Sequence, residues 1–523
     1  MEGRRIKYPI DTASFNRIRE EGYLYVDKTA YIDKLVNNGI FYFLARPRRF
    51  GKSLFIDVLQ EYFQGNRNLF KGLEIERLQP GEWESFPVLR FNLSGMSYMN
   101  SDNLKAYLNY HIDVLEKEYG LYKENTYSQP DIRFLSLITN VSKKSGKKVV
   151  ILIDEYDNPL TASIGKPELQ ENFREQLHGF YSTLKKTEEN IKFCFLTGVT
   201  RFGKVSVFSG LNNLNDITFS NDYASICGIT KDELSLYYNE GIQQFADKEG
   251  VNLEKAYQLL RYYYDGYHFS SSLTDIYNPF SINHVMAHKE LKDYWCQSGV
   301  PTLLSKSLME NEFNVEKLAG MKVEESELID LSMFKINPVP LFYQTGYLTL
   351  KDYDPKRRRF TLGYPNREVE TGILRNILNF YSEAKTSIQN TVFNLEDALE
   401  EGDPKKFVKI LSSFLSDIPL DLRNNVSKYE NYYHTIFYCI IKLIGLDISA
   451  EYATSEGYID ILIKTDEYIY VIELKVNGTA EDAINQIEEK NYCAPFESEG
   501  RKLFKIGIGF SKVTGSIASS IVK

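Results

Sequence analysis

The chain has 523 residues, more than one hydrophobic core usually serves, so two or three domains are expected. Hydrophobic content of 43% and charged content of 25% are those of a globular protein, and 38 Tyr and 32 Phe supply much to bury. A net charge of −9 gives no support to wholesale coating of nucleic acid but leaves room for a local basic groove. The cysteines Cys194, Cys227, Cys296, Cys439 and Cys493 form no C-x-x-C pair and read as reduced core thiols of a cytosolic protein. The polar N-terminus predicts no signal peptide. No apolar run approaches about 18 residues, so no membrane-spanning helix is expected.

In chain order, Tyr23 to Thr29 reads as an extended entry, with Thr29 as the N-cap of a helix ending near Gly39. The apolar run Phe41 to Ala45 predicts a buried strand. A basic loop, Arg46-Pro47-Arg48-Arg49-Phe50, follows, then Gly51-Lys52-Ser53 and the amphipathic run Leu54 to Leu59. Strand, loop, helix is the layout that binds nucleoside triphosphates. Backbone N–H groups at the helix start wrap the phosphates, Lys52 reaches the outer ones, and Ser53 offers a hydroxyl to magnesium. The consensus G-x-x-x-x-G-K-[ST] wants glycine where this chain has Arg46.

Pro87 to Ser94 alternates as a second strand, and a helix is expected from Asn103 to about Tyr119. Val149 to Ile153 followed by Asp154-Glu155 predicts a fully buried strand with acids at its C-terminal end, the edge where open α/β sheets bind ligands. There Asp154 would hold magnesium through water and Glu155 would polarise the attacking water. Ile191 to Gly198 reads as a further buried strand. Thr197 or Thr200 is placed to sense a γ-phosphate, and Arg201 to stabilise phosphate charge.

Tyr25-Val-Asp-Lys-Thr29, Arg46 to Ser53, Ile153-Asp-Glu-Tyr-Asp157 and Thr197 to Lys204 together resemble the bacterial AAA-ATPase-like proteins and their archaeal relatives, over Tyr8 to about Asp216. The resemblance implies ATP and magnesium as cofactors and tolerates a residue other than glycine at position 46. Tyr264-Asp-Gly-Tyr-His-Phe269 and Tyr277-Asn-Pro-Phe-Ser281 resemble signature turns of the same group, in a stretch with mainly helical spacing. His284 and His288 lack the glutamate of a zinc protease motif and read as helix-surface residues. Pro355-Lys-Arg-Arg-Arg-Phe360 reads as a solvated hairpin turn, with a phosphate-backbone contact as the alternative.

Near the C-terminus, Gly457 to Lys475 reads as a hairpin. A turn at Asp466-Glu467 sets Asp460 opposite Glu473, with Lys475 on the same face as Glu473. Two acids and an ammonium in an otherwise apolar sheet are costly unless a cation and a substrate use them. These residues resemble the PD-(D/E)xK nuclease superfamily. That resemblance implies magnesium held by Asp460, Glu473 and the Leu474 carbonyl, with Lys475 orienting or deprotonating the attacking water. It also nominates Glu430, on a helix expected from Ser427 to Gly445, as a further metal partner. Gln486, on a helix from Ala480 to Asn491 capped by Thr479, would face the site, with Lys490 as a phosphate contact. Tyr458 stands where many members carry a basic residue.

The expected fold is therefore α/β. An N-terminal P-loop NTPase domain of parallel sheet and flanking helices spans 1–225, and a mainly helical, lid-like or winged-helix-like part spans 226–365. A C-terminal α/β nuclease-like domain spans 366–523. The function expected by resemblance is an ATP-dependent, magnesium-dependent nuclease acting on DNA before RNA, in defence or mobile-element traffic. The alternative is a nucleotide-dependent switch that grips nucleic acid or a protein without cutting. The partner expected is nucleic acid, with no membrane and with oligomerisation open.

Overall fold

Every residue of the strand Phe41–Ala45 (β1) is buried, as is every residue of Val149–Asp154 (β3). These belong to a computed structural model that describes residues 6–121, 127–202, 207–296, 304, 307–308, 313, 315–329, 337–382, 388–416, 429–445, 447–454, 457–476, 478–511 and 516–523. Two compact units emerge: Met1–Ser298 with Leu318–Val369, and Gly299–Lys317 with Glu370–Lys523.

In the first unit, β1, β3, Val88–Asn92 (β2), Ile191–Gly198 (β4) and Asn215–Asp216 (β5) form a parallel sheet in the order β2-β3-β4-β1-β5. Helices link its strands, among them Lys52–Phe63 (α2), Ser101–Glu118 (α3), Pro130–Ser145 (α4) and Pro167–Lys186 (α5). Cover on both faces is why these strands are continuous apolar runs rather than alternating ones. The order sets the C-terminal ends of β3, β4 and β1 side by side, and the turn leaving β1 is the basic loop into α2.

Ahead of β1 runs the helix Ala30–Asn38 (α1). Thr29 holds its N-cap position, as expected, with Gly39 at the other end, but its side chain makes no capping bond. Its hydroxyl donates to Asp27 Oδ1 at 2.7 Å and accepts from the Ile75 N–H at 3.1 Å, so the group is spent on a long-range contact.

Later in this unit stand Lys231–Glu249 (α6), started by a Thr230/Glu233 capping box, Leu253–Tyr264 (α7) and Pro279–His288 (α8), capped by Asn278. Their apolar faces meet in a cluster that includes Tyr8, Leu234, Tyr238, Ile242 and Leu260. His284 is half-buried in an aromatic stack with Phe280 and Tyr294 rather than on open surface. Among the described residues after α8, strands stand beside short helices where the spacing suggests mainly helix. The short helix Pro338–Gln344 (α9) is buried at every residue, and Lys322–Glu324 (β6), Thr349–Asp354 (β7) and Arg359–Gly363 (β8) form an antiparallel sheet, β6-β8-β7. Pro355 to Arg358 is the exposed tip of the β7–β8 hairpin. The helix Arg367–Ser382 (α10) begins in this unit and runs into the second.

The second unit holds Ile388–Glu400 (α11), Pro404–Ser416 (α12), Tyr429–Ile444 (α13) and a five-stranded sheet. Asp447–Thr454 (β9), Gly457–Lys464 (β10) and Tyr468–Val476 (β11) run antiparallel in turn. Lys502–Phe510 (β12) lies parallel to β11, and Ile517–Val522 (β13) closes the edge. The helix Ala480–Glu489 (α14), started by a Thr479/Asp482 capping box, makes the crossover from β11 to β12. It buries Ile484 and Ile487 against Leu462, Ile469 and Val471. Among the described residues, no helix is long and apolar enough to cross a membrane.

Candidate active sites

The first site lies where β1, β3 and β4 end. Gly51 takes a φ of 93°, a backbone shape that glycine adopts at little cost, and turns the chain into α2. Lys52 opens that helix almost fully buried, with Nζ donating to the carbonyls of Arg46 and Pro47 at 2.9 Å each. Burial pushes the Lys52 ammonium down, opposed first by Asp154 and then by Asp157 and Glu155. Ser53, half-buried, is next on the helix.

Asp154 ends β3 with no exposure. Its Oδ1 accepts from the Thr197 hydroxyl at 2.6 Å and from the Glu155 N–H at 3.0 Å, while Oδ2 is buried with no hydrogen-bond partner among the described residues. Desolvation at that oxygen is costly; the Lys52 ammonium offsets part of it, and an arriving cation or donor would complete it. Glu155 adopts a φ of 51°, a strained shape for a residue with a side chain, which turns it out of the strand. Burial raises its carboxyl, partly countered by Lys52.

Some expected contributors point elsewhere. The Arg46 guanidinium turns into the core, donating to the carbonyls of Ala45, Thr218 and Tyr223, so only its backbone serves the loop. Arg201 Nε lies 2.7 Å from Asp216 Oδ2, and its N–H donates to Gln344 Oε1; a role on phosphate requires that ion pair to open. Thr200 gives its hydroxyl and N–H to Asp157.

Asp157 closes the Ile153-Asp-Glu-Tyr-Asp157 motif, and nothing in its sequence surroundings declares its role. It is buried and also accepts from the Val199 N–H, so it clamps the turn after β4 to the acid end of β3. An apolar cleft beside the loop is lined by Pro9, Tyr25, Val26, Phe50, Ile226 and Ile229. Its walls come from distant parts of the chain, which left no local signal. Gly203 and Lys204 of the signature stretch lie outside the described residues.

In the second site the β10–β11 register pairs Ile461 with Ile472 and Lys464 with Ile469. Continued by one step, it sets Asp460 opposite Glu473. The Asp460 Oδ2 accepts from the Leu474 N–H at 2.8 Å, which fixes that carboxylate across the strands. Glu473 is 1% exposed. Lys475 Nζ donates to its Oε1 at 3.2 Å, and Gln486 Nε2 donates to the same oxygen. Lys475 also donates to the Gln486 side-chain oxygen. The other carboxylate oxygen, Oε2, is buried and has no hydrogen-bond partner among the described residues. Burial, reinforced by Asp460, pushes the Glu473 carboxyl up to about 7.

Gln486 also reaches Tyr492 OH at 3.4 Å, and Lys490 is exposed at the end of α14. Gly457 runs so close to Tyr492 that a β-carbon there would lie 2.9 Å from its hydroxyl. Glu430 falls in the first turn of α13, and its side chain lies outside the described residues.

Each site thus holds side-chain oxygens of the kind a hard divalent cation takes: Ser53 and Asp154 in the first; Asp460 and Glu473 in the second. The orphaned Asp154 Oδ2 and Glu473 Oε2 fit such a cation. Among the described residues, no three His, Cys, Asp or Glu side chains group as a metal cage.

Comparison with known proteins agrees with this two-site architecture. Residues 9–208 match the family model described as a predicted AAA-ATPase, and residues 428–520 match that of the PD-(D/E)XK nuclease superfamily. A protein of Azotobacter chroococcum mcd 1, described as an uncharacterized protein in the vnfD 5' region, is 32% identical over 527 residues, covering 99% of each chain. The chain belongs to the family of AAA-ATPase-like proteins that carry a PD-(D/E)XK nuclease superfamily domain at the C-terminus.

Proposed function

We propose that the chain binds and hydrolyses ATP at the loop after β1, and cuts nucleic acid, DNA before RNA, at the carboxylate pair on β10 and β11. The observation that carries this reading is the pair of orphaned buried carboxylate oxygens, Asp154 Oδ2 and Glu473 Oε2, each beside a lysine and a second acid. Burying such oxygens is costly unless a ligand completes them.

At the first site, Lys52 leaves the carbonyls of Arg46 and Pro47 for the outer phosphates. Ser53 and Asp154 would hold magnesium, and Thr197 keeps the Asp154 carboxylate oriented. Glu155 takes the proton of the attacking water, a task suited to a carboxyl raised above its usual range. The apolar cleft by Tyr25 and Phe50 receives the base.

At the second site, Asp460, Glu473 and the Leu474 carbonyl would hold magnesium. A bound magnesium ion neutralises phosphate charge and lowers the pKa of coordinated water. Gln486 keeps Glu473 and Lys475 in place, and Lys475 orients the water that attacks phosphorus, with no covalent intermediate on the protein. Occupancy of the first site regulates the second, in a defence or mobile-element setting.

Isothermal titration with ATP and magnesium tests the first half. Wild-type protein should bind and Lys52→Ala should not; equal heats from both would discard the assignment. A panel of linear, circular, single-stranded and RNA substrates, with and without ATP, tests the second half.

A further inference from the structure

A phosphate-binding loop works by turning successive backbone N–H groups inward and carbonyls outward. Consensus loops begin with a glycine that takes up this shape easily. Here that position is Arg46 and the next is Pro47, neither of which has glycine's freedom. Yet the loop is held at every residue from outside.

The Arg46 guanidinium is buried over the Phe269 ring, 4.4 Å from its centre, and braced on three carbonyls. Pro47 packs where Gly346, at a φ of 89°, has no side chain; a β-carbon there would come within 2.7 Å of Pro47 Cβ. The Arg48 carbonyl faces outward and accepts from Trp295 Nε1–H at 3.1 Å. Arg49 takes a left-handed φ of 68°, with its guanidinium 3.8 Å from the Phe280 ring centre. Phe50 is buried edge-on to Tyr267 and Phe269, and its carbonyl accepts from the Gly228 N–H.

Trp295 is itself fixed. Its backbone N–H donates to Glu368 Oε1, whose other oxygen accepts from the Ser281 hydroxyl at 2.8 Å, and its ring packs on Tyr347.

We infer that Trp295 and Gly346, with the aromatic turns at 267–269 and 280, are an external scaffold that imposes the anion-binding shape on a loop lacking its consensus glycine. This gives the signature turns a task that their sequence does not declare, and it rests on the reading of the loop as a phosphate site. Trp295 is a positioning residue, acting through the Arg48 carbonyl. Losing one such hydrogen bond weakens phosphate binding about three- to tenfold.

The test uses the full chain and inorganic tripolyphosphate with magnesium, which reports the loop without the base. Trp295→Phe keeps an aromatic ring but lacks the indole donor, and should bind tripolyphosphate and ATP about three- to tenfold more weakly than wild type while still unfolding cooperatively well above the assay temperature. Gly346→Ala, which pushes on Pro47, should lose more. The chain has only two tryptophans, so in a Trp83→Phe background the emission of Trp295 should shift on tripolyphosphate addition, and should not when Lys52→Ala is added.

Wild-type affinity in both Trp295→Phe and Gly346→Ala overturns the inference, as does Trp295 emission that ignores tripolyphosphate while calorimetry records its binding. Absence of any ATP or tripolyphosphate binding by wild type overturns the loop assignment as well.

Discussion

Glu368 supplies a perturbation whose sign and size follow from its surroundings. It is 1% exposed, and burial pushes its carboxyl up to about 8, against the stabilising pull of the Ser281 hydroxyl and the Trp295 N–H. An unfolded chain has this group near its ordinary 4.5. A folded-state value raised in this way gives stability that is complete below about pH 4.5 and lost progressively as pH rises through about 8. Above both values the loss from this one carboxyl reaches a ceiling of about 5 kcal/mol, at roughly 1.4 kcal/mol per pH unit.

Glu368→Gln keeps the shape and an acceptor for Trp295 but has no charge to bury. Its stability relative to wild type should therefore rise from near parity at pH 5 to a gain of a few kcal/mol at pH 9. Urea unfolding of both proteins in a Trp83→Phe background, followed by Trp295 emission, reads this locally. Midpoints that run parallel from pH 5 to pH 9, or a glutamine variant that is the less stable at pH 9, would refute the reasoning.

Other outcomes follow from the two sites and the core. Glu473, held up to about 7 by burial and Asp460, must lose its proton to serve a cation, so apparent magnesium affinity should rise about fivefold from pH 6 to pH 7, about twofold more by about pH 8, and level off above that; thermal shift against magnesium concentration measures it, and a flat profile contradicts it. Thr197→Val removes the 2.6 Å hydrogen bond that orients Asp154, so ATP turnover should fall about tenfold or more while affinity changes about threefold or less; steady-state hydrolysis separates the two. Leu152→Ala opens a cavity in a strand residue with no exposure and should cost about 2–5 kcal/mol, read by urea unfolding.

How far the sequence discloses these sites depends on how local the cause is. The Asp460–Glu473 juxtaposition was legible because strand alternation and a short turn fix it within the span 460–475. The acid end of β3 was legible from five buried apolar residues followed by two carboxylates. Thr479 as a cap was legible because its partner, Asp482, is three residues away. What escaped is what the fold assembles from afar. Nothing near Arg46 says that its guanidinium will meet the carbonyls of Thr218 and Tyr223, and Trp295 finds Arg48 across 247 positions. Thr29 sits at the N-cap position that local sequence implies, yet its hydroxyl is taken by Asp27 and a distant N–H. Asp157 carries no local mark that separates a structural clamp from a catalytic acid.

The most direct test of the whole account is a cleavage time course. Labelled DNA is incubated in magnesium and ATP with wild type, Asp460→Asn and Lys52→Ala. The account predicts product from wild type, none from Asp460→Asn or with chelator, and an altered rate from Lys52→Ala. Cutting by Asp460→Asn at the wild-type rate, or intact DNA and RNA after incubation with wild type under every condition, would contradict it.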